Sequence, residues 1–338
     1  RRTEKGMEMS ETFRAIVIEQ DADRKVSASF QDLDTRDLPA GDVKIDVAYS
    51  TLNYKDGLAV TGKGKIARSY PMVCGIDLSG TVTESSSPDF NPGDKVIACG
   101  GWMSETIWGG YAEKASLPAD IVVPLPDALD LKQAMAIGTA GFTAMLAVMA
   151  LEHAGVHEGE VIVTGAGGGV GGVSIALLAK LGYQVAASTG RESLHDYLKE
   201  LGANTIIARQ ELDKDSPKPL ESERWAGGVD SVGGNTLAAI LAQTRPHGAI
   251  AACGLAGGFQ LPTTVMPFIL RGTSLLGINS VILTASQRRA AWIRLASGLD
   301  ISKLDAMTEE ASFDDVPQLA AEILKGNIRG RTVISIGG

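Results

Sequence analysis

The sequence predicts an α/β protein of two parts: a compact β-barrel, then a doubly wound parallel sheet with crossover helices. Residues 13–126 are rich in short alternating runs broken by turn signals, the pattern of a small barrel. From about Leu131 the pattern changes to β-branched strands alternating with helical stretches, the sign of a parallel sheet. Within that second part, 161–172 (VIVTGAGGGVGG) runs from a strand through clustered glycines into a helix. A chain of 338 residues is long enough for both parts.

In the first part, 13–18 and 43–49 alternate in part or throughout at the strand period, and 39–42 (PAGD) and 91–94 (NPGD) read as turns. Residues 134–151 are long and uncharged, but Gly138, Thr139, Gly141 and Thr143 make a poor membrane span, and no basic flank is present. A helix buried between domains fits better. Strands are expected at 161–164, 183–188, 204–208, 228–232, 249–253 and 274–280, six in number as in a doubly wound dinucleotide domain. A helix over 286–297, a second over 316–325 and a strand over 331–336 complete the chain. The expected division is 11–130 for the barrel, 131–280 for the dinucleotide domain and 281–338 for a return to the barrel. Residues 1–10 are polar, and Met7 and Met9 are plausible native starts, so the leading segment reads as a processing or expression remnant.

A net charge of −9 with no basic stripe argues against nucleic-acid binding. Cys74, Cys99 and Cys253 lie far apart and form no CxxC pair. Neither a disulfide framework nor a zinc ribbon is signalled, and a reducing cytoplasm is the expected compartment.

The glycine run places a helix N-terminus, with exposed N–H groups and a favourable dipole, where an anionic diphosphate would sit. Beyond the second strand come Ser188, Thr189, Gly190 and Arg191. A site for the unphosphorylated dinucleotide usually carries Asp or Glu here to hold the ribose 2′-hydroxyl. Hydroxyls and a guanidinium suit a 2′-phosphate instead, so NADPH is the expected cofactor. The competing reading has Arg191 capping or solvating the next helix. Leu255 and Ser280 are expected at strand C-terminal ends, where open α/β sheets bind ligands, with backbone groups available to a nicotinamide carboxamide.

Several further stretches carry a resemblance: 52–56 (LNYKD), 71–77 (PMVCGID), 92–96 (PGDKV) and 138–144 (GTAGFTA), together with the glycine turn. In this order they resemble the medium-chain dehydrogenase/reductase superfamily over the chain from Phe13 onward. The runs 61–66 (TGKGKI), 251–258 (AACGLAGG) and 261–271 (LPTTVMPFILR) are similar to the quinone-oxidoreductase-related branch that contains NADPH-dependent acrylyl-CoA reductases. The resemblance implies a GroES-like catalytic barrel beside a Rossmann domain. It implies Gly167, Gly168, Gly169 and Val170 at the pyrophosphate, Thr189, Gly190 and Arg191 at the 2′-phosphate, and Arg209 as a second cation there. Zinc enzymes of the superfamily have Cys where Asn53 stands and a His–Glu pair where Ile76 and Asp77 stand, so no metal is expected. His153 and His157, one helical turn apart, read as a solvated helix end.

Without a Lewis acid, hydride transfer suits an activated acceptor. The resemblance implies a short enoyl-CoA, with acrylyl-CoA to propanoyl-CoA as the specific reaction. Tyr54 is the candidate donor to the developing enolate and a cofactor neighbour; a packing tyrosine, with water as the acid, is the alternative. Asp56 is a second catalytic candidate, although a carboxylate in such a turn more often fixes a backbone N–H. Lys63, Lys65 and Arg68 form a basic cluster on a glycine-punctuated loop and are candidates for the CoA phosphates, against a solvated loop face. Two other functions stay open, a quinone or enone oxidoreductase and a non-catalytic NADPH-binding protein. The apolar stretch 274–281 is a candidate sheet edge, which would make the protein a homodimer.

Overall fold

The computed structural model describes residues 11–215 and 218–337. The leading segment 1–10 lies outside them. Two compact units emerge among the described residues, one from 11–125, 310–325 and 333–337, the other from 126–309 and 326–332.

The first unit contains β1 (Thr12–Gln20), β2 (Val26–Asp34), β3 (Val43–Thr51), α1 (Tyr54–Thr61), β4 (Met72–Val73), β5 (Asp77–Ser85), β6 (Lys95–Cys99), β7 (Lys114–Leu117) and β8 (Val122–Pro124). In β3, Val43, Ile45 and Val47 point inward while Lys44 and Asp46 face water, the two-residue period of a half-buried strand. Strands β1 and β2 form an antiparallel hairpin. Its turn is shaped by Asp21, whose Oδ1 accepts the N–H groups of Asp23 at 2.9 Å and Lys25 at 2.8 Å.

The second unit contains α2 (Leu131–His153), β9 (Glu160–Val163), α3 (Gly169–Lys180), β10 (Gln184–Thr189), α4 (His195–Leu201), β11 (Thr205–Ala208), α5 (Arg209–Leu212), β12 (Trp225–Asp230), α6 (Gly234–Ala242), β13 (Thr244–Ala252), α7 (Met266–Arg271), β14 (Ser274–Gly277), α8 (Ala285–Gly298) and α9 (Ile301–Ala306). Its six parallel strands run in the order β11-β10-β9-β12-β13-β14. The order reverses between β9 and β12, and ligands of such sheets bind outside the strand C-termini at that point. Val161, Ile162 and Val163 are all buried, as expected of a strand covered on both faces.

Helix α2 is the expected uncharged helix. Asp130 caps it, accepting the Gln133 N–H at 2.7 Å, and Gln133 accepts the Asp130 N–H in return. The helix breaks at Gly138, with φ 50° and ψ −162°. Among the described residues it is the one helix long and apolar enough to cross a membrane, and most of it is buried against protein. It packs on α3 and α8, with Phe142 stacked on Trp292 at 6.2 Å.

Several boundaries differ from expectation, among them the start of β13, at Thr244. Strand β14 ends at Gly277, because Asn279 Oδ1 accepts the N–H groups of Val281 at 2.9 Å and Ile282 at 3.2 Å and turns the chain away. Strand β12 begins at Trp225, ahead of an irregularity in its pairing with β13. The expected return to the barrel at 281 occurs only from Glu310. Helix α8 keeps 285–298 in the second unit, through Trp292 and a two-point bond of Arg294 to Glu152 at 2.5 and 3.0 Å. Beyond it, β15 (Thr308–Ser312), α10 (Val316–Leu324) and β16 (Arg331–Ser335) close the chain. Helix α10 packs on α1, and Val333, Ile334 and Ser335 pair with β3.

Candidate active site

The glycine turn follows β9. Gly165 adopts φ +59°, and a Cβ there would lie 2.3 Å from Ser231 Oγ. A Cβ on Gly171 would lie 2.4 Å from Gly165 O, so its absence lets α3 pack against the turn. The N-cap residue of α3, Gly168, provides no side-chain cap to the first-turn N–H groups. These amides remain oriented for an anion at the positive end of the helix. Gly167 is roofed by side chains: a Cβ there would lie 2.4 Å from Leu194 Cδ1 and 2.8 Å from Arg191 Nη2.

Two guanidiniums lie near the end of β10. Arg191 lies over the turn, and a Cβ on Gly190 would sit 3.1 Å from Arg209 Nε. Thr189 Oγ1 accepts the Arg191 N–H at 3.1 Å, which fixes the chain there. Among the described residues neither arginine is ion-paired, and burial lowers the Arg191 pKa by penalising its charged form. Gly167, Thr189, Gly190, Arg191 and Arg209 are therefore brought together, with Gly168, Gly169 and Val170 at the adjoining helix start. Arg191 Nη2 donates only a long 3.5 Å bond to Ile328 O, and a bound phosphate would give both cations an anionic partner. The dinucleotide fits these residues.

At the sheet's switch point Thr164 Oγ1 donates to Asp230 Oδ1 at 2.6 Å, and Gly233 N donates to Asp230 Oδ2 at 2.8 Å. Burial raises the Asp230 pKa, while these donors act against the rise. Leu255, 64% exposed, lies on the loop after β13 beside Gly233. Ser280 lies beyond the shortened β14, in the turn made by Asn279.

Sequence reasoning missed Arg331. Its Nε donates to Ala136 O at 2.7 Å, and its Nη1 would lie 2.5 Å from a Cβ on Gly169. Gly330 N donates to Gly167 O at 3.2 Å, so the 330–331 backbone braces the same turn. No local signal could have shown this, since the partners are far apart in sequence.

In the first unit Tyr54 opens α1 and is 44% exposed. Asp56 is fully buried. Its Oδ2 accepts Asn53 N at 2.9 Å and Asn53 Nδ2 at 3.0 Å, while Oδ1 accepts Ile76 N at 3.0 Å. Asn53 Nδ2 also donates to Asp77 Oδ2 at 2.7 Å. Burial first, then the nearby Asp77 charge, push Asp56 up to about 7 despite the hydrogen bonds that favour its ionised form. Asp56 thus fixes the turn that starts α1; its expected role in proton transfer finds no exposed oxygen. Lys63 and Lys65 are exposed, whereas Arg68 stacks on Trp102 and approaches Glu105.

Zinc does not fit this donor set. Asn53 turns its amide nitrogen to two carboxylates, Ile76 offers only hydrocarbon, and both Asp56 oxygens already accept N–H groups. Among the described residues no group of three or more His, Cys, Asp or Glu is placed to hold a metal ion.

Residues 39–127 match the alcohol dehydrogenase GroES-like domain, and 169–296 match the zinc-binding dehydrogenase family. Acrylyl-CoA reductase AcuI of Ruegeria pomeroyi is 52% identical over 96% of this chain and 99% of its own. The chain belongs to the medium-chain dehydrogenase/reductase superfamily. A solved member, the YhdH oxidoreductase of Salmonella enterica in complex with NADP, is 52% identical with a TM-score of 0.93, covering 96% of this chain and 99% of its own. Bacillus subtilis YhfP, whose name marks it as a candidate quinone oxidoreductase, is 46% identical over 97% of this chain and 100% of its own. Its structure with NAD bound has a TM-score of 0.92 and covers 96% of this chain and 100% of its own. The superfamily pairs a GroES-like barrel with a Rossmann-type sheet, and the two units here have those architectures. The match to the zinc-named family covers 169–296 and does not include Asn53, Ile76 or Asp77.

Proposed function

We propose that this protein is an NADPH-dependent enoyl-thioester reductase that converts acrylyl-CoA to propanoyl-CoA. The observation that carries the reading is the full-length 52% identity to an acrylyl-CoA reductase. The guanidiniums of Arg191 and Arg209 near the end of β10, where a ribose-binding carboxylate would otherwise stand, support the phosphorylated coenzyme. Gly167, Gly168, Gly169 and Val170 hold its diphosphate, and Thr189, Gly190, Arg191 and Arg209 its 2′-phosphate. Leu255 and Ser280 offer backbone groups to its carboxamide.

When bound, NADPH supplies a hydride to the β-carbon of the acceptor. Tyr54 donates a hydrogen bond to the thioester oxygen, where negative charge gathers as the double bond is reduced. A proton from the Tyr54 hydroxyl or from water completes the product at the α-carbon. Lys63, Lys65 and Arg68 attract the CoA phosphates.

The 46% identity to YhfP favours a second reading, an oxidoreductase of quinones or enones, in which Tyr54 stabilises an oxygen anion in the same way. Titration with NADPH and NADH, then turnover with acrylyl-CoA, crotonyl-CoA and simple quinones, separates the two. The thioester reading requires a large preference for acrylyl-CoA; equal or better use of a quinone overturns it. We further infer a cytoplasmic homodimer. No disulfide joins Cys74, Cys99 or Cys253, and β14 is an end strand of the six-stranded sheet that exposes Leu275, with Ile269 and Leu270 of the preceding helix exposed as well. Sedimentation of the native protein and of Leu275→Lys reads the oligomeric state directly.

A further inference from the structure

The turn after β6 carries four residues with positive φ within five positions: Gly100 at 65°, Gly101 at 58°, Trp102 at 69° and Ser104 at 66°. Two of them are not glycine, and such strain persists only where surrounding structure holds it. The holding bonds are visible. Trp102 O accepts the N–H groups of Glu105, Thr106 and Ile107, each at 3.1 Å, and Ser104 N donates to Ile107 O at 2.8 Å. The turn presents one indole ring and one nearly buried carboxylate to the loop that carries the basic cluster. Arg68 N donates to Glu105 O at 2.8 Å. The Arg68 guanidinium lies 4.6 Å from the Trp102 ring centroid, and its Nη2 is 3.4 Å from Glu105 Oε2.

Lys55, the residue after Tyr54, pairs with the other oxygen of Glu105. That closer ammonium offsets the Glu105 charge, so the charge of Arg68 remains largely uncompensated. One face of its guanidinium is covered by indole and one edge by Glu105, yet its side chain is 59% exposed. A stacked guanidinium with open donors is pre-organised for a phosphate, and less rotamer freedom is lost on binding than with a free side chain. Lys63 and Lys65, exposed on the same loop, add positive charge.

We propose that the turn 100–105 is a platform that presents Arg68 to a phosphate of the acyl carrier, with Trp102 and Glu105 as positioning residues. The inference rests on the acyl-CoA reading above. It divides the basic cluster: Arg68 makes the directed contact, while Lys63 and Lys65 contribute only field. The residues that set carrier recognition then include an aromatic and an acid that carry no positive charge.

The test compares two acceptors at saturating NADPH: acrylyl-CoA, and the acrylyl thioester of N-acetylcysteamine, which keeps the reacting group and has no phosphate. Trp102→Gly removes the ring at a backbone position that glycine adopts without strain, so the fold is retained. The expected result is a rise of about tenfold in KM for acrylyl-CoA, with kcat and the KM for the truncated thioester within about twofold of the parent. Glu105→Gln is expected to give the same acceptor-selective rise even though it makes the loop more positive. An unchanged KM for acrylyl-CoA, or an equal change for both thioesters, overturns the platform. If the parent enzyme uses the two thioesters equally well, the carrier reading itself fails before any variant is compared, and the platform falls with it.

Discussion

Asp56 makes stability depend on pH in an unusual direction. Its carboxyl is held up to about 7 by burial and by Asp77, whereas an unfolded chain returns it to about 3.9. The folded state therefore binds the proton more tightly. The resulting stabilisation is fully present below the unfolded pKa and is lost as pH rises through 7. At about 1.4 kcal/mol per unit, the loss between pH 5 and pH 8 is about 3 kcal/mol. With an unfolding entropy of about 2.1 cal/mol/K per residue over the 338-residue chain, that is a fall of about 4 °C in Tm. Asp56→Asn removes the titration. It also removes one of the two oxygens that accept Asn53 N, Asn53 Nδ2 and Ile76 N. The variant is expected to melt below the parent at pH 5, by about 1–3 kcal/mol of lost hydrogen bonding, with the gap closing toward pH 8. Thermal melts of both proteins at half-unit intervals read this. Parallel curves across the range would refute a proton held by this carboxyl in the folded state.

Arg191→Ala and Arg209→Ala each remove one charge-assisted contact to a 2′-phosphate, of about 1.5–3 kcal/mol. Each should weaken NADPH by roughly ten- to a hundredfold in a fluorescence titration while leaving NADH unchanged. Tyr54→Phe should lower kcat by about a hundredfold with coenzyme affinity intact; full turnover would remove Tyr54 as donor to the acceptor oxygen. Gly171→Ala places a Cβ 2.4 Å from Gly165 O and should lower stability by about 1–3 kcal/mol and weaken both coenzymes together, measured by melting and titration.

The parallel sheet was legible because its signals are local. The glycine turn sits between β9 and α3, and β10 and β11 are short runs containing β-branched residues. The glycine turn and the end of β10 were legible as structural elements for the same reason, since each forms a compact stretch. What escaped was contact between distant segments. Arg331 reaches Ala136, Asn53 joins Asp56 to Asp77, and Glu105 joins Lys55 to Arg68, and no window of sequence contains any of these sets. The end of β14 was missed on finer grounds. Its apolar run continues to 278, but the Asn279 side chain takes the next amides. The assignment of 281–309 failed because α8 is bound by Trp292 and Arg294 to α2, a partner that its own composition does not name.

Deuterium transfer from NADPH labelled at the transferable position, with acrylyl-CoA as acceptor, tests hydride delivery to the β-carbon most directly. The expected product is propanoyl-CoA with one deuterium at the β-carbon, and a parallel run in heavy water with unlabelled coenzyme should place one deuterium at the α-carbon. Acrylyl-CoA recovered intact, or product without label at the β-carbon, would contradict the account.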